Sequence, residues 1–464
     1  MSVNTQHKDY QANLSTWKLM RDVISSNVTT YVPKLEGQSQ DEFKAYVNRP
    51  AFFNATSRTL EALLGLIFSK PAEVTDSTEL NKIYENITLD DDTLEDFSKM
   101  IAKEVLTVGR CGVLVDLPSI DRSMFSASQI EAMNLRAYAR LYTTENIINW
   151  RYETVNGINF ISLVVLQETY EYINGDEFSV ETGTRWRVLD LVEGRYRQRI
   201  YTQNKDSSFS FDAELYPVAN GKPIAYIPFV FFGVNELKGK IEQPPLLDMA
   251  KVNVSHFKND VDLEHGAHFT ALPTPCISGY SGAQNEVIKI GSSSFLTFDN
   301  PQAKAYYMEF SGDGLGTIQN IIALKEKRMA VLGARLLLDE KKTAEATETV
   351  AMRSSGERAV LINIALTLSS GLKKVLSIIA EWENIKQEIV YNLNTDYNLS
   401  TVDSQLIAQL MAGVQGGTIP LEVLYFAIKQ GEIMPPSITD FETYQNKLET
   451  ATPQLSVNNA RTTA

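Results

Sequence analysis

The sequence predicts an α+β fold built of several parts, and three features of the residue pattern carry that prediction. Residues 1–107 space their apolar side chains three and four apart, as helices do. Residues 136–232 change to aromatic and β-branched runs, punctuated by Asn156-Gly157, Asn174-Gly175-Asp176, Glu193-Gly194 and Asn220-Gly221. Such dipeptides between apolar runs mark hairpins. Beyond Pro244, two long apolar stripes flank an irregular segment rich in Gly and Ser. A chain of 464 residues exceeds what one ordinary core organises.

In the first part, Asn13 to Val23 and Asp41 to Phe68 read as helical, broken at Tyr31-Val32-Pro33 and at Pro50. Two short helices are expected over 78–107. Val113-Leu114-Val115-Asp116 then reads as a short buried strand, followed by a polar helical stretch from Ser126 to Met133. The aromatic region reads as an antiparallel meander over Ile158–Val165, Thr169–Ile173, Arg185–Leu191 and Tyr196–Gln203, closed by Ile227–Phe232.

Pro244-Pro245 suits a helix start. Leu247, Ala250, Val254, Phe257 and Val261 follow at 3-4-3-4 spacing, a narrow apolar seam on a helix ending near Pro273. Lys251, Ser255, Lys258, Asp262 and His265 fall on another side. Short strand-like pieces are expected at Val287–Ile290, Phe295–Phe298 and Tyr306–Phe310. A helix from about Ile318 to Leu338 carries Ile318, Ile322, Met329, Leu332 and Leu336 on a stripe that Lys325 interrupts. After the polar segment Asp339 to Thr349, the stripe Leu361, Ile364, Leu368, Leu372, Val375, Ile379 and Trp382 predicts a very long helix. If it runs from Thr343 to Trp382, it is about 60 Å long. The C-terminal region reads as a helix, a Gly416-Gly417 break and a second helix begun by Pro420.

Composition narrows the function. The formal charge is −14, which disfavours tight sequence-independent DNA binding but does not exclude a protein that lets DNA slide past without sticking. No uninterrupted apolar run approaches the roughly 18 residues of a membrane span. Met1 to Tyr10 lacks an apolar signal core. Cys111 and Cys276 are too few for a disulfide framework or a four-cysteine zinc site. Cys111, with no histidine near it in sequence, reads as structural.

Catalytic motifs are missing. His256, His265 and His268 cluster with Asp260, Asp262 and Glu264, yet Glu264-His265-Gly266-Ala267-His268 is not the His-Glu-x-x-His of a metalloprotease. A hydrated face or subunit contact fits these histidines better than a metal. Gly312, Gly314 and Gly316 lack the spacing of a dinucleotide loop, and no phosphate-binding GxxxxGK[ST] or nucleophile elbow occurs. Asp90 to Asp92 suits a loop or helix start, not acid–base catalysis. No catalytic residue, metal site or cofactor is expected, and the chain is read as no enzyme.

The order of parts resembles phage portal proteins. The strings that carry the resemblance are Tyr31-Val32-Pro33-Lys34-Leu35, the helix from Arg49 ending Phe68-Ser69-Lys70-Pro71, and Gly109-Arg110-Cys111-Gly112-Val113-Leu114-Val115-Asp116. Thr144-Glu145-Asn146-Ile147-Ile148-Asn149-Trp150-Arg151, Ile227-Pro228-Phe229-Val230 and Pro244-Pro245-Leu246-Leu247-Asp248, with Pro273-Thr274-Pro275 behind, continue it. They cover roughly residues 30–385, and their order, not any single string, is specific.

The resemblance implies a portal fold. A mixed α/β wing would span 1–244, a first stem helix 245–270, a clip 271–312 and a second stem helix 315–338. A tunnel loop would occupy 339–347, a long wing-crossing helix and its return 348–399, and a helical crown with a tail 400–464. It further implies a homo-oligomeric ring, twelve-fold in the family, at a capsid vertex of the virion. Double-stranded DNA would pass through it. Partners would be the major capsid protein, the terminase large subunit and a head-completion or tail adaptor protein, with no membrane. Stem packing would fall to Leu247, Ala250, Val254, Phe257 and Val261. Lys325, Lys327, Arg328, Lys341 and Lys342 would be the cations facing DNA. The alternative is another virion assembly or minor head protein without a channel.

Overall fold

The computed structural model describes residues 2–118, 125–173, 178–204, 206, 208–272, 274–279, 300–308, 312–337, 347–395, 397, 404–430, 438 and 440–451. They form a mixed α+β structure in two units, Met1–Thr395 and Asp396–Ala464.

The larger unit opens with α1 (Lys8–Ile24), α2 (Gln40–Val47) and α3 (Ala55–Ile67). Each starts where a side chain can satisfy a free backbone N–H. His7 accepts from Asp9 N, Ser39 and Glu42 form a reciprocal capping box, and Asn54 accepts from Ser57 N. The Asn54 amide also donates to Val23 O at 2.6 Å, fixing the start of α3 to the end of α1. After β1 (Glu73–Val74) come α4 (Thr78–Glu85) and α5 (Leu94–Val108). Gly109 ends α5 at φ +79°, where a Cβ would also lie 2.7 Å from the Glu242 carbonyl oxygen.

The chain then enters β2 (Arg110–Asp116), α6 (Ala127–Ala132) and β3 (Tyr138–Thr143). Next come β4 (Ile147–Val155), β5 (Ile158–Ile173), β6 (Val180–Val192), β7 (Arg195–Gln203) and β8 (Phe209–Leu215). These last five form one antiparallel sheet in chain order. Its turns at Asn156-Gly157 and Glu193-Gly194 hold both central residues at positive φ, as two-residue hairpins require. β9 (Val218–Ala219) and β10 (Lys222–Pro223) make a small hairpin over Asn220-Gly221.

Two expectations for this region are corrected. Ile227–Phe232 does not close the meander. β11 (Phe229–Gly233) instead pairs with β2, giving a separate sheet of order β11-β2-β3. Both β2 and β11 are buried at every residue, so their unbroken apolar character belongs to a sheet covered on both faces. Ile158–Val165 and Thr169–Ile173 are also one strand, not two. Gln167-Glu168, between the two expected strands, continues the ladder opposite Trp186 and Arg185.

Glu168 is buried because its charge is answered there. It accepts from Arg185 Nε at 2.6 Å, from Arg187 Nε at 2.8 Å and from the Tyr142 hydroxyl. Arg187 donates to Gln198, and Gln198 donates to Asp116 at 2.8 Å. The network thus ties the five-stranded sheet to β2 and β3. Burial alone would raise the Glu168 carboxyl, but Arg187 and the hydrogen bonds from Arg187 and Tyr142 outweigh it and hold it at about 2. Burial dominates at Asp116, which is pushed up.

A second buried cation is held differently. Arg110 lies 3.9 Å from the centroid of the Trp150 ring and 4.8 Å from that of Phe231. Aromatic faces attract such a cation through their quadrupoles.

The remaining elements of this unit are α7 (Leu247–Ala271), β12 (Thr274–Ser278), β13 (Lys304–Met308), α8 (Asp313–Leu337), α9 (Thr347–Trp382) and β14 (Tyr391–Asn392). At 36 residues, α9 is about 54 Å long. Its seven stripe residues, Leu361 to Trp382, are all buried. They pack α9 against β11, β14 and α5. Gly371 lets the helix approach β11 closely, since a Cβ there would sit 2.3 Å from the Phe232 ring.

By length and composition Val360–Trp382 is apolar enough to cross a membrane, although it holds no uninterrupted apolar run. Asn363, Thr367, Ser369 and the pair Lys373-Lys374 interrupt the run and mask it from a search for unbroken apolar sequence. Its buried stripe faces the protein's own core.

The smaller unit contains α10 (Ser404–Gln415), α11 (Leu421–Gln430) and α12 (Phe441–Ala451). Gly417 turns the chain at φ +68° between α10 and α11. Asp440 caps α12 by accepting from Thr443 N at 2.6 Å. Tyr425 of α11 packs edge-on to Phe441 of α12 at 5.4 Å, joining those two helices.

Candidate functional site

The candidate site is the pair α7 and α8. Each has 25 residues and is about 37 Å long. Three close approaches fix them as an antiparallel pair. Gly266 faces Leu315, Ser255 meets Lys325, and Met249 touches the position of Gly333. Gly266 has a physical reason to be glycine here, because a Cβ would fall 2.5 Å from Leu315 Cδ2.

The seam of α7 faces the body of the larger unit. Leu247, Ala250, Val254, Phe257 and Val261 are all buried. Burial of side chains of this size contributes about 1.5–3 kcal/mol each for the larger ones. Phe257 meets Phe52 edge-on at 5.4 Å. Asn253, wholly buried, accepts from Thr56 N and Thr56 Oγ1 and donates to Phe53 O at 2.8 Å. The Tyr46 hydroxyl donates to Asp262, and burial with that carboxylate raises its pKa. α7 is therefore clamped to α2 and α3 by both apolar and polar contacts.

The paired helices also share a polar contact. Lys325 lies on the stripe of α8 that includes Ile322 and Met329, both buried. Its Nζ donates to Ser255 O and Ser255 Oγ, each at 2.7 Å, and to Asn259 Oδ1. Burial lowers its pKa, helped by the nearby cations Arg328 and Lys258. The sequence groups Lys325 with the cations facing DNA, whereas here its ammonium is turned to α7. Lys327 and Arg328 are exposed. Lys341 and Lys342, and the tunnel loop but for Thr347, lie outside the described residues.

The histidines are not gathered into one set. His256 is buried with Nε2 3.5 Å from Glu326 Oε1. His265 sits edge-on to Tyr46 and to Phe269, and His268 packs on Phe269. Among the described residues no group of three or more His, Cys, Asp or Glu side chains could hold a metal ion. Cys111 is buried, and burial pushes its thiol well up.

The base of the segment joining α7 to α8 is a two-stranded sheet, with Thr274 opposite Met308 and Ser278 opposite Lys304. It exposes Tyr306, Tyr307 and Met308. The strand-like pieces expected at 287–290 and 295–298 lie outside the described residues. Sequence reasoning missed Asn253 and the Ser255–Asn259 pair as partners. The one signal for the latter was a lysine set among apolar residues on α8.

A family described as a domain of unknown function, DUF4055, matches residues 245–383, which holds α7, α8 and α9. No curated protein matches. Among solved structures, the chain is similar at 9% identity to one from the neck of an empty GTA particle. That likeness covers 82% of this chain and 91% of the other, with a TM-score of 0.38. A chain from the virion of a native gene transfer agent particle is 10% identical, over 86% of this chain and 94% of that one, with a TM-score of 0.37. A chain from the native particle's neck, computed with C12 symmetry, is 9% identical over 88% and 93%, with a TM-score of 0.32.

Proposed function

We propose that this chain is a portal subunit, one of a ring of copies forming a channel through which double-stranded DNA enters and leaves a phage head. The observation that carries this reading is the succession of α7, a two-stranded insert, α8 and the 36-residue α9. Two long antiparallel helices anchored on one side leave their other surfaces for neighbours. Identical subunits can close into a ring through such unlike faces.

The charge balance is consistent with this role. An acidic wall repels phosphate, while sparse cations supply weak and replaceable contacts. Lys327, together with Lys341 and Lys342, supplies those contacts in this reading. The subunit is structural, and the energy of packaging comes from a separate terminase docking on the segment between α7 and α8. The capsid protein and a tail adaptor complete the vertex.

Reversing Lys341 and Lys342 to Glu in assembled particles tests the channel role. Altered packaged length or DNA retention, with rings intact, is the expected result. Unchanged packaging and retention contradicts it.

A further inference from the structure

His7 caps α1 with its ring: Nδ1 accepts from Asp9 N at 3.2 Å. An imidazole nitrogen accepts only while it carries no proton, so this cap requires a neutral His7 with its proton on Nε2. The same ring is stacked on Trp150, with centroids 4.1 Å and planes 20° apart. Trp150 is also the ring that receives Arg110. Arg110 is wholly buried, and none of its three guanidinium nitrogens has a hydrogen-bond partner among the described residues. Burial lowers its pKa only to about 9, so the cation persists at neutral and acid pH.

The backbone around His7 is tied to the strand that carries Trp150. His7 N donates to Ile148 O at 2.9 Å, and Asn149 Nδ2 donates to Thr5 O at 2.9 Å. Farther along α1, Tyr10 and Arg21 hold the helix to Glu145 through separate bonds. Residues 2–7 therefore form a strap that can open while the helix stays in place.

We infer that His7 is a pH-sensitive latch: neutral, it pins residues 2–7 to β4, and protonated, it releases them. Two changes act together. A protonated Nδ1 no longer accepts from Asp9 N, and a second cation is set against the ring that holds the buried Arg110. The charged groups around His7 are Lys8 and Asp9 on α1 and Arg110 on β2, with Tyr152 of β4 beside Arg110. Asp9 Oδ2, 3.7 Å from Nδ1, favours the proton. Burial of the ring, with Arg110 and Lys8, outweighs Asp9 and lowers the histidine from its ordinary 6.5. A histidine lowered in this way contributes its stability in full above the unfolded value and loses it as pH falls through the folded one. The strap is closed at neutral pH and loosens in mild acid. The latch belongs to the single chain and does not depend on the ring.

Hydrogen–deuterium exchange of the full chain, read by mass spectrometry on peptides within residues 7–13, tests this. The two conditions are pH 7.5 and about pH 5, the latter still above the ordinary carboxylate range. After correction for the chemical exchange rate, wild-type protection is expected to fall about threefold or more in acid, while peptides from α5 keep theirs. His7→Asn keeps a capping acceptor and has no proton to gain, so its protection is expected to be the same at both pH values. Wild-type protection that does not change with pH would overturn the latch. An equal fall in His7→Asn would overturn it too, by placing the titration on another group.

Discussion

Lys325 Nζ donates to the carbonyl and to the hydroxyl of Ser255 at 2.7 Å each, so a lysine of α8 is the polar staple of the α7–α8 pair. Its stem lies among Ile322 and Met329, both buried, and its charge ends on α7. The pair is thereby held in one register. An apolar residue at this position would pack but would not choose between neighbouring registers.

The staple predicts a graded mutational response. Lys325→Ala removes both the stem and the charged hydrogen bonds, with an expected loss of about 1–3 kcal/mol. Lys325→Met keeps the stem, and its loss should be the smaller of the two. Urea unfolding of both variants measures this, and equal losses would show that the hydrogen bonds, not the packing, dominate.

The Glu168 network predicts an acid-labile sheet junction. The carboxyl falls from its ordinary 4.5 to about 2 in the fold. Its stabilisation is therefore full above the unfolded value and is lost as pH falls through the folded one, a loss of about 3 kcal/mol. Asp116 is raised and works in the opposite sense, gaining on acidification and offsetting part of that loss. Glu168→Gln leaves Arg185 without its carboxylate and Arg187 with Asp116 alone, 3.3 Å away, at an expected cost of about 3–5 kcal/mol at neutral pH. Urea unfolding between pH 7 and pH 2 should show the wild type losing stability in acid and the variant losing less.

Gly371 predicts an exception to helix propensity. Alanine in a helix interior is ordinarily favoured over glycine by about 1 kcal/mol. Here its methyl would meet the buried Phe232 ring, and overpacking of that kind costs about 1–3 kcal/mol. Gly371→Ala should lower the thermal unfolding midpoint. A raised midpoint would mean that the ring moves aside freely.

The long elements were legible because their periodicity is uninterrupted. The stripe from Leu361 to Trp382 and the seam from Leu247 to Val261 are read directly from 3-4 spacing, and every member is buried. What escaped depended on partners far along the chain. Nothing local distinguishes Phe229–Gly233 as a partner of β2 from a last strand of the meander. A buried Glu168 inside a strand makes sense only once Arg185 and Arg187, on the neighbouring strand, donate to it. Lys325 was recognised as an interruption of a stripe, but its acceptors, Ser255 and Asn259, lie about 70 residues earlier. The histidine cluster was close in sequence, yet helix geometry sends His256 toward Glu326 and His265 toward Tyr46.

The proposed function stands on many copies placing α7 and α8 side by side about a common axis. Electron microscopy of the purified, negatively stained protein tests this most directly. Rings with a central stain-filled hole are the predicted result. Single globular particles at all concentrations, with no rings, would contradict it.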